Sequence, residues 1–338
     1  MVETGKRKER IDRGIKVRSD GIYALSSWRE ITYLLAPRGL LIGGFLLAPL
    51  LLLLFPYWQK VLLIVCIYAL LAMAFDFLAN YVGLVCLGGS FFVGVGGYGA
   101  ALLNKYCGLA PFLSIPMAAL LGAAFCTLLL LPCLPLRGVY FAIITLMYPL
   151  MMTRIIEAFE LFGGTNGMMD VAGFANPWVE QYFLVIATLL LLFGLRRLSV
   201  EDLGLVIKGI KDNDQSVRAS GINITFIKAQ AIFYAAFLGC FAGAYLAHVY
   251  MWAGLSMFAL DFSIIPIAAT VVGGGGSLMG AVLGAVLLVP LSEALRAFGP
   301  LRIVVYSLIL TVVIVIKGEG LLNYLSRKYS QFERWVEI

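Results

Sequence analysis

From residue 39 onward the apolar residues come in long, nearly unbroken blocks separated by short polar gaps. Ten blocks can be drawn: 39–57, 61–79, 83–103, 112–134, 138–159, 181–195, 229–251, 262–273, 278–296 and 301–317. Period-two alternation, the mark of a half-buried strand, does not organise them. A hydrocarbon core about 30 Å thick takes roughly 20 residues of helix, and most of the blocks have that length. Lipid offers no partner to backbone N–H and C=O groups, so a spanning segment is a helix or part of a closed barrel. Uniform apolar runs select helices. The pattern predicts an all-α integral membrane protein, a polytopic bundle of about ten spans.

Two blocks depart from the rule. The third, GLVCLGGSFFVGVGGYGAALL (83–103), has seven glycines and spells GxGxxG at Gly94–Gly99. A dinucleotide fingerprint needs a strand before it, a helix after it and an acid about 20 residues on. Here the flanks are spans, and the next acid after Gly99 is Glu157. Glycine at these spacings instead lets helix backbones approach closely and permits a kink or an unwound turn. The eighth block is short and ends at Gly273–Gly276. It predicts a broken or re-entrant helix, which lipid tolerates only where protein or water covers the open backbone.

The polar gaps divide the chain and orient it. Residues 1–38 hold nine Lys or Arg and five acids, too long and mixed for a signal-peptide n-region. They read as a basic cytoplasmic tail, within which YALSSWREITYLL suits a short helix on the membrane surface. The membrane domain is 39–317, and 318–338 is a second tail. With the N-terminus inside, the loop 196–228 is cytoplasmic and carries Arg196, Arg197, Lys208, Lys211, Arg218 and Lys228. Loops 160–180 and 252–261 fall outside and carry no Lys or Arg, as the positive-inside rule requires. Both termini then lie in the cytoplasm, in a bacterial inner membrane.

Composition agrees: of 338 residues, 62% are hydrophobic and 13% charged, against about 25% charged in a soluble domain. The net charge of +6 belongs to loops on one membrane face rather than to a nucleic-acid surface. The six cysteines form no CxxC pair and read as small buried hydrophobes. One histidine, His248, gives a catalytic triad little support. No metal-ligand cluster is visible, and GGGGSLMG (273–280) lacks the lysine of a Walker A loop. The expectation is a transport subunit without cofactor, metal or catalytic residue.

The loop 196–228 has structure of its own. Leu203, Val206, Ile207 and Ile210 fall on one helical face. Asp212 or Asp214 can cap a short helix over about 213–220, Gly221 is a natural stop, and Thr225 can cap the next span. A short capped helix between two spans suits either docking to a soluble partner or a plain connector.

Four stretches together resemble the LivM-type permeases of branched-chain amino acid ABC importers: IYALLAMAFDFLANYVGLVCLGGSFFVGVGGYGAALL, LRGVYFAIITLMYPLMMTRIIEAFELFGGTNGMMDV, IKGIKDNDQSVRASGINITFIKAQAI and VVGGGGSLMGAVLGAVLL. The resemblance covers roughly 60–325. Departures fall at Gly89, where the family carries histidine, at Asp76, where it carries asparagine, at Asn80, where it carries a small residue, and at Ala281, where it carries proline. Relatives also move urea, short amides and aromatic acids. The resemblance implies two ABC ATPase subunits, a second permease of LivH type, and a periplasmic or lipid-anchored solute-binding protein. It makes the segment of Lys211, Asp212, Asp214, Ser216, Arg218 and Gly221 the ATPase-coupling element.

For the solute pathway the candidates are Asp76, Asn80, Tyr98, Tyr140, Thr145, Thr165 and Asn166. Asp76 leads them, since an ionisable residue in a span is costly unless partnered; Asn80 lies one turn on, and both are expected to face the glycine-rich third span. Arg154 and Glu157 are spaced to pair with each other. Gly273–Gly276 reads as a hinge or a packing contact. The alternatives are an ATP-independent channel or carrier, and a sugar-type ABC permease.

Overall fold

The computed structural model describes residues 8–10, 39, 42–52, 55–136, 138–174, 176–295, 308, 311, 320–322 and 333–335. Helices α1 (Ile42–Leu51), α2 (Pro56–Asp76), α3 (Gly89–Cys107), α4 (Pro111–Leu130), α5 (Val139–Ala158) and α6 (Pro177–Leu198) lead to the amphipathic α7 (Asp202–Asp212) and the short α8 (Asp214–Ala219). The helices α9 (Ile224–Tyr250), α10 (Asp261–Gly273) and α11 (Leu278–Ala294) follow. Each of the first nine apolar blocks thus contains a helix. The tenth lies outside the described residues save 308 and 311, as does the YALSSWREITYLL segment. Among the described residues six helical segments are long and apolar enough to cross a membrane, α3 not being one of them, so the count of ten is approximate. Of the tails, Lys8–Arg10 and Glu333–Trp335 are described, as an antiparallel pair.

Proline opens α2, α4 and α6, where its missing N–H costs nothing and its φ is already helical. α2 and α9 form the centre. In their most apolar windows 83% and 78% of residues are buried, against 28% and 33% in α5 and α6. A helix apolar all round belongs inside a bundle, and α2 contacts α6, α9, α10 and α11, while α9 also packs on α3 and α4. α5 and α6 are left to face lipid or another chain.

Glycine allows the central contact. A methyl group at Gly96 of α3 would overlap the Cys240 backbone of α9, and one at Gly243 of α9 would overlap the Val93 backbone of α3. GxGxxG is therefore a packing surface, and Gly94 and Gly97 make room for Phe258 and Met257.

Two helices begin inside the bundle. After α2 the chain passes through a π-helical turn, Phe77–Val82, and residues 83–88 have no regular structure before α3 starts at Gly89. The single turn Leu255–Phe258 leads into α10. The two starts meet: Ser263 Oγ accepts from Ser90 N–H at 2.9 Å and lies 3.1 Å from Ser90 Oγ. Leu255–Phe258 and α10 together make a segment, Leu255–Gly273, long and apolar enough to cross a membrane, and the break in its helix lies at residues 259–260 rather than at the glycine run that ends it. Block three likewise begins six residues later than expected, because 83–88 is unwound.

Candidate functional site

The candidate residues do not converge on one cavity. They fall into a knot beside α7, a contact at the start of α3, and an outer loop.

The knot is built around Asp76, which is fully buried. Its Oδ1 accepts from Asn80 Nδ2 at 2.7 Å and from the Gly276 N–H at 2.8 Å, while Oδ2 has no partner among the described residues. Asp76 therefore faces the glycine turn between α10 and α11, not α3 as expected. That turn can approach because its glycines have no side chains: a Cβ at Gly275 would stand 2.7 Å from Asn80 Nδ2. Gly276 holds φ at 82°, a conformation that favours glycine. Tyr81 hydroxyl donates to the Gly276 carbonyl at 3.1 Å. From α7, Lys211 Nζ donates to the Asn80 carbonyl at 2.8 Å, and Lys208 Nζ lies 5.5 Å from the centre of the Tyr81 ring. A π-helical turn opens backbone carbonyls that a regular helix would use, and Lys211 takes one of them.

α7 packs by the face read from sequence: Ile207 and Ile210 are buried and Leu203 and Val206 half-buried. Its neighbour α8 has no buried residue. The caps differ from expectation. Asn213, not Asp212 or Asp214, accepts from Gln215 and Ser216 N–H, and Asn223, not Thr225, caps α9. Asparagine sits one residue ahead of each first helical turn, which is where a cap acts. Gly221 ends α8 with φ at 82°. Arg218 lies in the last turn of α8.

At the start of α3, Thr145 is buried and its Oγ1 accepts from Leu87 N–H at 3.0 Å. It thereby anchors the unwound segment 83–88. A Cβ at Gly89 would stand 2.9 Å from the Phe262 carbonyl oxygen, so the family's histidine could enter only if the start of α10 shifted. Tyr148 donates to the Leu129 carbonyl at 2.7 Å, and Tyr140 is exposed on α5.

Beyond the C-terminal end of α5, Thr165 and Asn166 are exposed in the irregular turn Leu161–Asn166. Trp252 Nε1 donates to the Asn166 carbonyl at 3.0 Å, and Met168–Met169 pairs with Trp252–Ala253. Tyr98 is buried between Phe162 and Phe258, and its hydroxyl has no partner among the described residues. Arg154 and Glu157 pair at 2.8 Å, as their spacing predicts. His248 is buried between the Ala172 carbonyl and Ser114 Oγ, a structural setting. Cys107 alone of the cysteines is exposed. An apolar groove of about 300 Å³ among α1, α2, α6 and α11 meets none of these residues.

Sequence reading missed Tyr81, Gly276 and Lys208 as members of the knot. Their partners lie more than a hundred residues away, and no local pattern marks them. It also placed Asp261 in an outer loop, although Asp261 is the sole Asp, Glu, Lys or Arg between Lys228 and Glu293.

Residues 57–317 match the family model for the branched-chain amino acid transport system permease component. The high-affinity branched-chain amino acid transport system permease proteins LivM of Salmonella typhimurium and of Escherichia coli are each 29% identical over 287 residues, which is 76% of this chain and 68% of theirs. No solved structure matches. With helices suited to crossing a membrane in the same region, the chain belongs to the family of branched-chain amino acid transport system permease components.

Proposed function

We propose that this chain forms half of the solute path of an ABC importer of the inner membrane, carrying branched-chain amino acids or closely related small polar solutes. Two ATPase subunits, a second permease and an external binding protein complete it. Both termini and α7–α8 face the cytoplasm, where α8, with Lys211, Asp212, Asp214, Ser216, Arg218 and Gly221, meets the ATPase. ATP supplies the work, and ATP hydrolysis belongs to the partner subunits.

The observation that carries this reading is the bond from Lys211 to the Asn80 carbonyl. It joins α7, and through α7 the mostly exposed α8, to the π-helical turn of a central span. The same turn is tied to the α10–α11 turn through Asp76. Both turns border segments that begin inside the membrane. A displacement of α8 is thereby conveyed to α2, the 83–88 segment and α10, the kind of shared two-state element that coupling between distant sites requires. In this reading Asp76 and Asn80 belong to the transmission, while Thr145, Tyr98, Tyr140, Thr165 and Asn166 border the path and its outer entrance.

The test is ATP-dependent uptake of leucine by the transporter reconstituted with its ATPases, second permease and binding protein. Val217→Pro removes the bond from the Val217 N–H to the Asn213 carbonyl and breaks α8. Uptake should fall tenfold or more at equal amounts of assembled complex. Undiminished uptake would make α8 a plain connector, and uptake without ATP would establish the channel reading.

A further inference from the structure

Lysine, arginine and glutamate residues of the long described helices lie within five residues of a helix end. Those ends reach the membrane boundaries. Asp261 also sits at a helix end, but that end is inside the bundle. Two rulers fix its depth. At 1.5 Å per residue it lies roughly 18 Å from Gly273. Its neighbour Phe262 stacks on Tyr68 at 5.7 Å, and Tyr68 is roughly 18 Å along α2 from Pro56. Asp261 is therefore well within a hydrocarbon layer about 30 Å thick.

Despite that depth Asp261 is exposed, together with Ile264 and Val271. At about 100° per residue these three fall on one face of α10. Asp261 makes no hydrogen bond or ion pair with the described residues. An unpaired carboxylate is not stable against lipid tails, and such residues face a bundle interior or a water-filled path. Its favourable interaction with the α10 dipole accounts for its place in the helix, not for exposure at this depth. This face of α10 is therefore covered by water or another chain.

We propose that Asp261 lines the solute path and that its carboxylate holds the ammonium group of the solute in passage. The inference rests on the reading above, an amino acid permease, and adds the residue that reads the charged end. Among the described residues no basic side chain reaches Asp261, which leaves its carboxylate open to a cation from outside them. A branched-chain amino acid supplies one, next to an apolar side chain that matches Ile264 and Val271. The unpaired carboxylate is thus suited to transient occupation, which a permanent salt bridge would prevent.

The experiment has two arms, both in the complete reconstituted transporter. In the first, Asp261→Cys is introduced with the native cysteines replaced, and a membrane-impermeant thiol reagent is added from the outer side, with the ATPases idle and then cycling. Modification in either condition is expected. No modification in both means that the face is sealed by the partner permease or by lipid, and overturns the proposal. In the second arm, leucine uptake at saturating binding protein is compared for the parent, Asp261→Asn and Asp261→Glu. Asn should lower uptake roughly tenfold, the scale of a lost charge-assisted hydrogen bond; Glu should keep most of it. Uptake by Asn equal to the parent overturns the proposal. A parent that moves urea but no ammonium-bearing solute also overturns it, yet leaves an ABC permease. A parent with no ATP-dependent uptake of any solute is a failure of the permease reading, and the labelling arm then decides whether Asp261 borders a water-filled path. If Asn lowers the amount of assembled complex, the Glu variant and the labelling decide.

Discussion

At Asp76 one oxygen, Oδ1, accepts both hydrogen bonds, and the other accepts none from the described residues. The geometry asks for an acceptor at one position and does not ask for charge. An asparagine keeps that acceptor and places its amide where Oδ2 stands. Asp76→Asn should therefore leave the amount of assembled transporter within about twofold of the parent. Asp76→Leu strands the Gly276 N–H and the Asn80 amide in the interior, at about 1–3 kcal/mol for each buried unsatisfied group. It should sharply lower the yield of complex in a detergent-stable form. Size-exclusion recovery of the two variants checks this. Equal loss in both would mean that the charge itself is required, and would return Asp76 to the solute path. The family's asparagine at this position is consistent with the acceptor role.

Between elements, the α3–α9 contact is held by backbone proximity rather than by side-chain interlock. Gly243 has no room for a methyl group beside the Val93 backbone, whereas a Cβ at Gly99 would meet Ala118 at a comfortable 3.7 Å. Gly243→Ala should separate the helices and destabilise the bundle by about 1–3 kcal/mol, the cost of overpacking a dense core. Gly99→Ala, equally conservative by chemistry, should be silent. Thermal inactivation of the purified complex distinguishes them; a silent Gly243→Ala would show the contact to be loose. This pair also marks what the sequence disclosed. The density of glycine in 83–103 announced close packing, but which glycines touch a partner depends on the rotation of α3 about its axis. Apolar periodicity in a helix buried all round does not report that rotation. The helices themselves were legible because hydropathy alone sets their length, and α7 was legible because its face is one-sided. The knot was not, since it joins Tyr81, Lys211 and Gly276 through single hydrogen bonds across long sequence separations. The inner starts of α3 and α10 were half legible: glycine and a short block indicated broken helices, while Ser90 and Ser263 read as ordinary small residues.

For the whole molecule, orientation follows from charge and from the side on which the polar elements gather. α7 lies beside the C-terminal end of α2, where Lys211 reaches Asn80, and the Leu161–Asn166 turn lies with Trp252 beyond the C-terminal ends of α5 and α9. In the proposed orientation these two groups face opposite compartments, with the basic residues of 196–228, and so the first group, in the cytoplasm. Single cysteines at Ser216 and Thr165 test the assignment, because both positions are exposed. The native cysteines have to be replaced first, above all Cys107, which is exposed and sits at the outer end of α3. In intact cells an impermeant thiol reagent should label Thr165→Cys and spare Ser216→Cys until the membrane is opened. Labelling of Ser216→Cys alone would invert the protein in the membrane. It would place α8 out of reach of any cytoplasmic ATPase and turn the α7–α2 knot into an outer structure, so the coupling role would fall together with the orientation. Labelling of both in intact cells would mean that a path through the protein is open to the reagent, and sealed vesicles of inverted orientation would then have to show Ser216→Cys as the faster-reacting site for the assignment to stand.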